Sequence, residues 1–264
     1  MQLSPTTLQA ASFSFFLALA SCSAPESGKV APPTLPDARL SLAAPPALGS
    51  AAQADDDRIF KATRLLAGTP RWALATSDAD LHPQAFLSHY SCAAGFTLDL
   101  AKAPHLAQIM TLAAKAETVR TSEEKHHWNR LRPFIGNDAP LCVARSPELT
   151  KSPSYPSGHT IAGYSTALVL SALLPERSAQ LLQRGRVMGE SRIVCGVHWA
   201  SDVAAGYQAA GAFAVAILQD PAIRDLLPEA RAELLAMQQA NVQPDPKVCA
   251  VEADAAAHSP FSDF

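Results

Sequence analysis

Three stretches of this sequence hold groups that can bind and transfer a small anion. The first is Lys125, six residues, then Arg132-Pro133. The second is Pro156-Ser157-Gly158-His159. The third is Ser191-Arg192, five residues, His198, three residues, Asp202. A phosphate ester is a multiply charged tetrahedral anion. Moving its phosphoryl group needs positive charge on the equatorial oxygens and in-line groups at both ends. Lys125, Arg132 and Arg192 supply that charge. Two guanidiniums grip oxygens in a fork, which a lone ammonium cannot do. Ser157 and the Gly158 backbone N–H add neutral donors at a helix start, where free N–H groups favour anions. His159 and His198 are left to move protons or attack phosphorus. Spacing alone does not separate their roles, although Asp202, one turn past His198, favours His198 as the oriented nucleophile. Each stretch has a plainer reading by itself. Lys125 and Arg132 read as solvated charges, the Ser-Gly-His turn as an ordinary helix start, and His198 with Asp202 as a surface pair worth a few tenths of a kcal/mol. Their order and spacing together argue for a common pocket.

Helices must position these groups. Ala and Leu dominate, alternating Val/Ile/Thr runs are scarce, and aromatic content is 6%, so the chain is expected to be all-α. Asp55-Asp56-Asp57 fits a helix start, with Gly68 as its stop. Short helices are expected at 72–79 and 84–96. The longest runs from Pro104 to Lys125, with Leu106, Ile109, Met110, Ala113 and Ala116 at helical spacing. Residues 161–174 are apolar on nearly every side and read as the buried central helix, which Pro175 stops. Amphipathic 176–188, mostly buried 199–218 and solvated 221–239 follow. Both apolar helices are too short or too interrupted to read as membrane spans. A formal net charge of −3 argues against a nucleic-acid binder.

Ser154-Tyr155-Pro156-Ser157-Gly158-His159-Thr160 and the run from Gly189 to Asp202, together with Lys125 and Arg132-Pro133, resemble the signature of the type 2 phosphatidic acid phosphatase superfamily. The resemblance is strongest to its bacterial class A non-specific acid phosphatases. Thr69-Pro70-Arg71 and Asp78-Ala79-Asp80-Leu81 also look like their N-terminal region. It covers roughly residues 55–235 and implies a helical domain of the phosphatase and vanadium haloperoxidase type. By that resemblance His198 is the nucleophile, Asp202 its orienting carboxylate and His159 the general acid and then base. Lys125, Arg132, Ser157, Gly158 and Arg192 hold the phosphate. No metal and no cofactor is implied, because the protein supplies the charge. Small phosphorylated substrates are the expected partners, and a homo-oligomer is left open. His126-His127-Trp128-Asn129 departs from relatives that often carry Tyr and smaller groups there, at the rim of the pocket. A vanadate-dependent haloperoxidase and a lipid phosphate phosphatase remain alternatives on the same anion pocket.

The N-terminal apolar run from Ala11 to Ala20 leads into Leu19-Ala20-Ser21-Cys22, which resembles a bacterial lipobox. Residues 1–22 are therefore expected to be a lipoprotein-type signal peptide, with Cys22 lipidated and the product periplasmic, anchored to the outer membrane. No Lys or Arg precedes the apolar run, so cleavage near Ala20 or Ala24 without a lipid is the alternative. The anchor would be the chain's sole link to a membrane. Pro/Ala-rich 23–54 reads as a tether, with Leu40 to Leu42 left as a stretch that can pack on the domain, 55–240 as the phosphatase domain and 241–264 as a loose tail. Cys92, Cys142, Cys195 and Cys249 remain for disulfides. The expected pairing is Cys142 with Cys195 and Cys92 with Cys249, one of the three that four cysteines allow.

Overall fold

The computed structural model describes residues 1–2 and 30–261. The expected signal peptide from residue 3 onward, Cys22 and the start of the expected tether lie outside the described residues. Twelve α-helices and no strand occur among those described, so the fold is all-α. They are α1 Ala51–Arg64, α2 Pro70–Ser77, α3 Pro83–Ser88, α4 Ser91–Ala94, α5 Pro104–Trp128, α6 Pro147–Lys151, α7 Gly158–Leu173, α8 Ser178–Val194, α9 Ala200–Gln219, α10 Pro221–Arg224, α11 Leu227–Ala240 and α12 Pro246–Ala257.

Local chemistry explains where many of them begin. Ser50, Thr69, Ser146 and Ser157 sit at N-caps, and their hydroxyls accept the N–H groups of Gln53, Trp72, Leu149 and Thr160. Proline opens α2, α3, α5, α6, α10 and α12, where its missing N–H costs no helix bond.

The centre is α7, packed between α8 and α9. Ile161, Leu170, Leu181, Phe213 and Ile217 are fully buried there. Small residues set the spacing. A Cβ on Gly185 would come within 2.7 Å of the Ala167 methyl, and one on Gly206 within 2.8 Å of Thr160 Cβ. Helix α9 is long and apolar enough to cross a membrane by length and composition. Here its Val203, Ala209, Ala210, Phe213 and Ile217 are buried against the other helices.

Several expectations need correction. The 31–50 part of the expected tether packs on the domain. Leu35, Ala38 and Leu42 are buried, the Ala38 N–H donates to Glu124, and the Tyr155 hydroxyl donates to the Ala43 carbonyl. A Pro/Ala-rich composition does not reveal that three spaced apolar residues find a groove. The expected loose tail contains α12, held by a disulfide from Cys249 to Cys92 and by Glu252 beside Arg184 at 3.1 Å. Helix α1 starts before the Asp55-Asp56-Asp57 triplet, because Ser50 caps it and Asp56 turns inward. The 84–96 stretch breaks into α3 and α4 at His89-Tyr90, and 221–239 breaks into α10 and α11 around Asp225-Leu226. Helix α8 extends past Met188 to Val194, and its last residues are buried although polar. The disulfides pair as expected, Cys142 with Cys195 and Cys92 with Cys249.

Candidate active site

The last turns of α5 carry Lys125, and the chain leaving it carries Arg130 and Arg132. The N-terminus of α7 carries Gly158 and His159, with Ser157 as its cap. The end of α8 carries Arg192, and the loop into α9 carries His198 just before Asp202 in the first turn. Backbone bonds join these pieces. The Ser157 N–H donates to the Asp202 carbonyl at 3.0 Å, and the Ser154 N–H donates to the Arg130 carbonyl at 2.8 Å. The turn between Arg192 and His198 needs Gly196, whose φ is +81° and whose Cβ would lie 2.3 Å from Arg64 Nη1. Arg64 in turn donates to the Ile193 carbonyl at 2.8 Å, one of the end carbonyls of α8. The Cys142–Cys195 disulfide closes the same turn.

The two expected nucleophile and acid candidates stand in different states. Arg132 Nη1 donates to His198 Nε2 at 3.2 Å, so Nε2 presents a lone pair. The proton is then on Nδ1, which faces Asp202 Oδ2 at 3.3 Å. Asp202 Oδ2 also accepts the Trp199 N–H at 2.9 Å, and Oδ1 accepts Arg130 Nη1 at 2.7 Å. Burial holds the His198 imidazole well below its ordinary range, and Arg132, Lys125 and Arg192 reinforce the shift. The shift favours the neutral imidazole. His159 is half-buried, with its Nε2–H directed at the Ala79 carbonyl at 3.3 Å. Burial and then Arg192 lower it well below the ordinary value. Burial raises Asp202, and Arg130 opposes that rise.

The cations converge on the same space. Lys125 Nζ donates to the Pro153 and Ser154 carbonyls at 2.7 and 3.2 Å, and Arg132 Nε donates to the Ser152 carbonyl at 2.8 Å. One short loop thus orients both. Burial brings Arg132 and Arg192 down to about 10, and burial with Arg132 beside it lowers Lys125. Arg192 is 3% exposed, and its Nε and Nη1 have no hydrogen-bond partner. A buried guanidinium whose Nε and Nη1 have no partner in the protein is suited to an anion. The fold therefore brings together every position singled out in the sequence: Lys125, Arg132, Ser157, Gly158, His159, Arg192, His198 and Asp202.

Sequence reasoning missed the support. Arg130 joins Asp202 to Asp56 and Gln53, each at 2.7 Å, and its guanidinium lies 5.4 Å from the Trp199 ring centroid. Behind Arg192, Asp78 accepts Ser191 Oγ–H at 2.6 Å and pairs with Arg184. Arg71 donates to Ser191 Oγ at 2.9 Å. Only the resemblance around Thr69-Pro70-Arg71 and Asp78 hinted at these, without a role.

An all-α body that gathers three cations and two histidines is suited to phosphoryl transfer. Residues 105–224 match the PAP2 superfamily. An acid phosphatase of Zymomonas mobilis is 47% identical over 220 residues, 83% of this chain and 83% of that protein. A non-specific acid phosphatase of Providencia stuartii is 33% identical over 205 residues, 77% and 83% of the two chains. One from Salmonella typhimurium is 36% identical over 183 residues, 68% and 72%. The chain belongs to the PAP2 superfamily and, within it, to the bacterial class A acid phosphatases. It is an enzyme that hydrolyses phosphate esters.

Proposed function

We propose that the protein is an exported, metal-independent acid phosphatase that works on small phosphate monoesters through a phosphohistidine. The observation that carries the reading is the placement of His198, with Nδ1 3.3 Å from Asp202 Oδ2 and Nε2 3.2 Å from Arg132 Nη1, which suits a proton on Nδ1 and a lone pair on Nε2. Nε2 attacks phosphorus, a P–N bond forms and the ester P–O bond breaks. His159 gives its proton to the leaving alkoxide. Water then attacks phosphorus, His159 takes its proton, and the P–N bond breaks to release phosphate. Lys125, Arg132 and Arg192 balance the charge on the equatorial oxygens, so no metal is required by this scheme. Burial depresses His159 most, and Arg192, Lys125 and Arg132 add to it; a bound dianion opposes the cations' part and so favours the protonated imidazole.

Mixing labelled substrate with the enzyme in excess EDTA and quenching in base should trap a phosphoenzyme that acid releases. It should be absent from His198→Ala. Turnover that collapses with the chelator and returns with zinc or magnesium would refute the metal-free scheme. Export rests on the Ala11 to Cys22 segment. Wild type should fractionate with membranes and Cys22→Ser should not; a soluble wild type beginning at Ser21 would remove the lipid and leave export standing.

A further inference from the structure

The phosphate pocket is not closed on the side of the leaving group. A cavity of about 560 Å³ starts at Lys125, Gly158 and His159. A second, of about 580 Å³, continues along α5 as far as Leu100, Ala107 and Met110. The two share Leu81, Phe86, Ala114, Glu117, Thr118 and Ala162, so they form one groove between α5, α7 and the 81–86 stretch. From Lys125 to Met110 the helix rise gives it a length of about 22 Å.

We infer that this groove is a leaving-group subsite for apolar alcohols, so that phosphate monoesters with aryl or extended alkyl groups are the favoured substrates. The inference rests on the placement of phosphate at Lys125, Arg132 and Arg192. In that placement the ester oxygen must reach His159, and His159 stands at the mouth of the groove. Whatever the oxygen carries is therefore directed along Leu81, Phe86 and Ala162.

The walls suit an uncharged chain. Phe86 is 7% exposed and fixed by an edge-to-face contact with Tyr90. Leu81 keeps 42% of its surface open, and Val119 farther along keeps 62%. Glu117 is the single ionisable residue in the shared stretch. It is 6% exposed, bonded to the Ser165 hydroxyl at 2.5 Å, and burial pushes it up to about 7. Below that pH it is protonated and adds no charge to the shared stretch. Lys125, His126, Glu148 and Lys151 line the phosphate end, and Lys115, next to Ala114 on α5, lines the distal cavity only.

A series of n-alkyl phosphates, from ethyl to octyl and below their micelle concentrations, tests this with the full chain at pH 5.5. kcat/KM should rise with each methylene, at most about four-fold per step, which is about 0.8 kcal/mol per buried CH₂. The gain should appear in KM. Ala114→Asp, an exposed position that leaves the core intact, should flatten the series by placing a charge midway along it. A flat wild-type series would overturn the subsite. So would a series that steepens equally in Ala114→Asp, or a groove covered by a second copy of the chain and a slope that appears only on dilution. Competitive inhibition by orthovanadate reads the phosphate pocket alone. If it persists while the series is flat, the groove fails and the pocket stands; if it is missing, the placement of phosphate itself is wrong.

Discussion

Replacing Arg192 with Met should make the resting protein more stable and much less active. Arg192 is 3% exposed, with two nitrogens that have no hydrogen-bond partner. Burial lowers its guanidinium from the ordinary arginine range to about 10, while Asp78 pulls the other way. At about 1.4 kcal/mol for each tenfold change in proton affinity, this opposes folding by about 3 kcal/mol. A basic group with a depressed folded value exerts that penalty at every pH below about 10. The penalty fades only as pH rises toward the unfolded value. Met has similar length and leaves no charge to desolvate. Arg192→Met should therefore gain about 1–3 kcal/mol in urea unfolding at pH 6 with disulfides intact. The same charge is an anion donor in the pocket, and losing one such donor costs about 10²–10³ in kcat. Orthovanadate at 100 times its Kd should stabilise the wild type by about 2.7 kcal/mol, and the variant should lose this response at the same concentration. A variant that is less stable, still protected by orthovanadate and close to wild type in kcat would refute the reasoning.

Other outcomes follow from the same geometry. His159→Ala should slow alkyl phosphates by about 10²–10⁴ and p-nitrophenyl phosphate far less in the first step, because nitrophenolate leaves without a proton; equal losses on both would show that His159 is not the acid. Burial and Arg132 lower Lys125 to about 7, so it is charged below that pH and loses its charge above it. KM for small phosphate esters should therefore climb as pH rises through 7, and Lys125→Met should flatten that limb; an unchanged limb in the variant would remove Lys125 from phosphate binding. The Cys142–Cys195 disulfide spans 53 residues and Cys92–Cys249 spans 157, which correspond to about 4 and about 5 kcal/mol of loop-closure stabilisation. Serine pairs at Cys92 and Cys249 should lose at least as much stability as pairs at Cys142 and Cys195, yet lose less activity, since Cys195 sits between Arg192 and His198. Equal activity losses measured on folded protein would count against that assignment.

The pocket was legible because its parts are local. Ser157-Gly158-His159 announces a capped helix start by residue type alone, and His198 stands four residues before Asp202, close enough for the two to meet at the start of α9. Helix type was legible for the long segments α5, α7 and α9, whose apolar residues recur at helical spacing. Boundaries were less so. The expected amphipathic helix stops at 188, short of Glu190, Ser191 and Arg192, which lie within α8 and are buried at 1%, 0% and 3%. No periodicity distinguishes a polar residue facing water from one facing a buried partner.

Sequence by itself determined the helical class, the three stretches that hold the chemistry and the residue types that do it, since these depend on chemistry within a few residues. Tertiary structure alone decided how neighbours divide their work. Arg130 and Arg132 are two residues apart and chemically identical, yet Arg132 faces His198 while Arg130 ties Asp202 to Asp56. The choice is made by groups more than sixty residues away: Val197 and His198 on one side, Asp56 and Asp202 on the other. The same holds for the 31–50 segment, for α12 and for the open groove beside His159. Each is created by surfaces distant in sequence, where burial and pairing depend on which partner arrives.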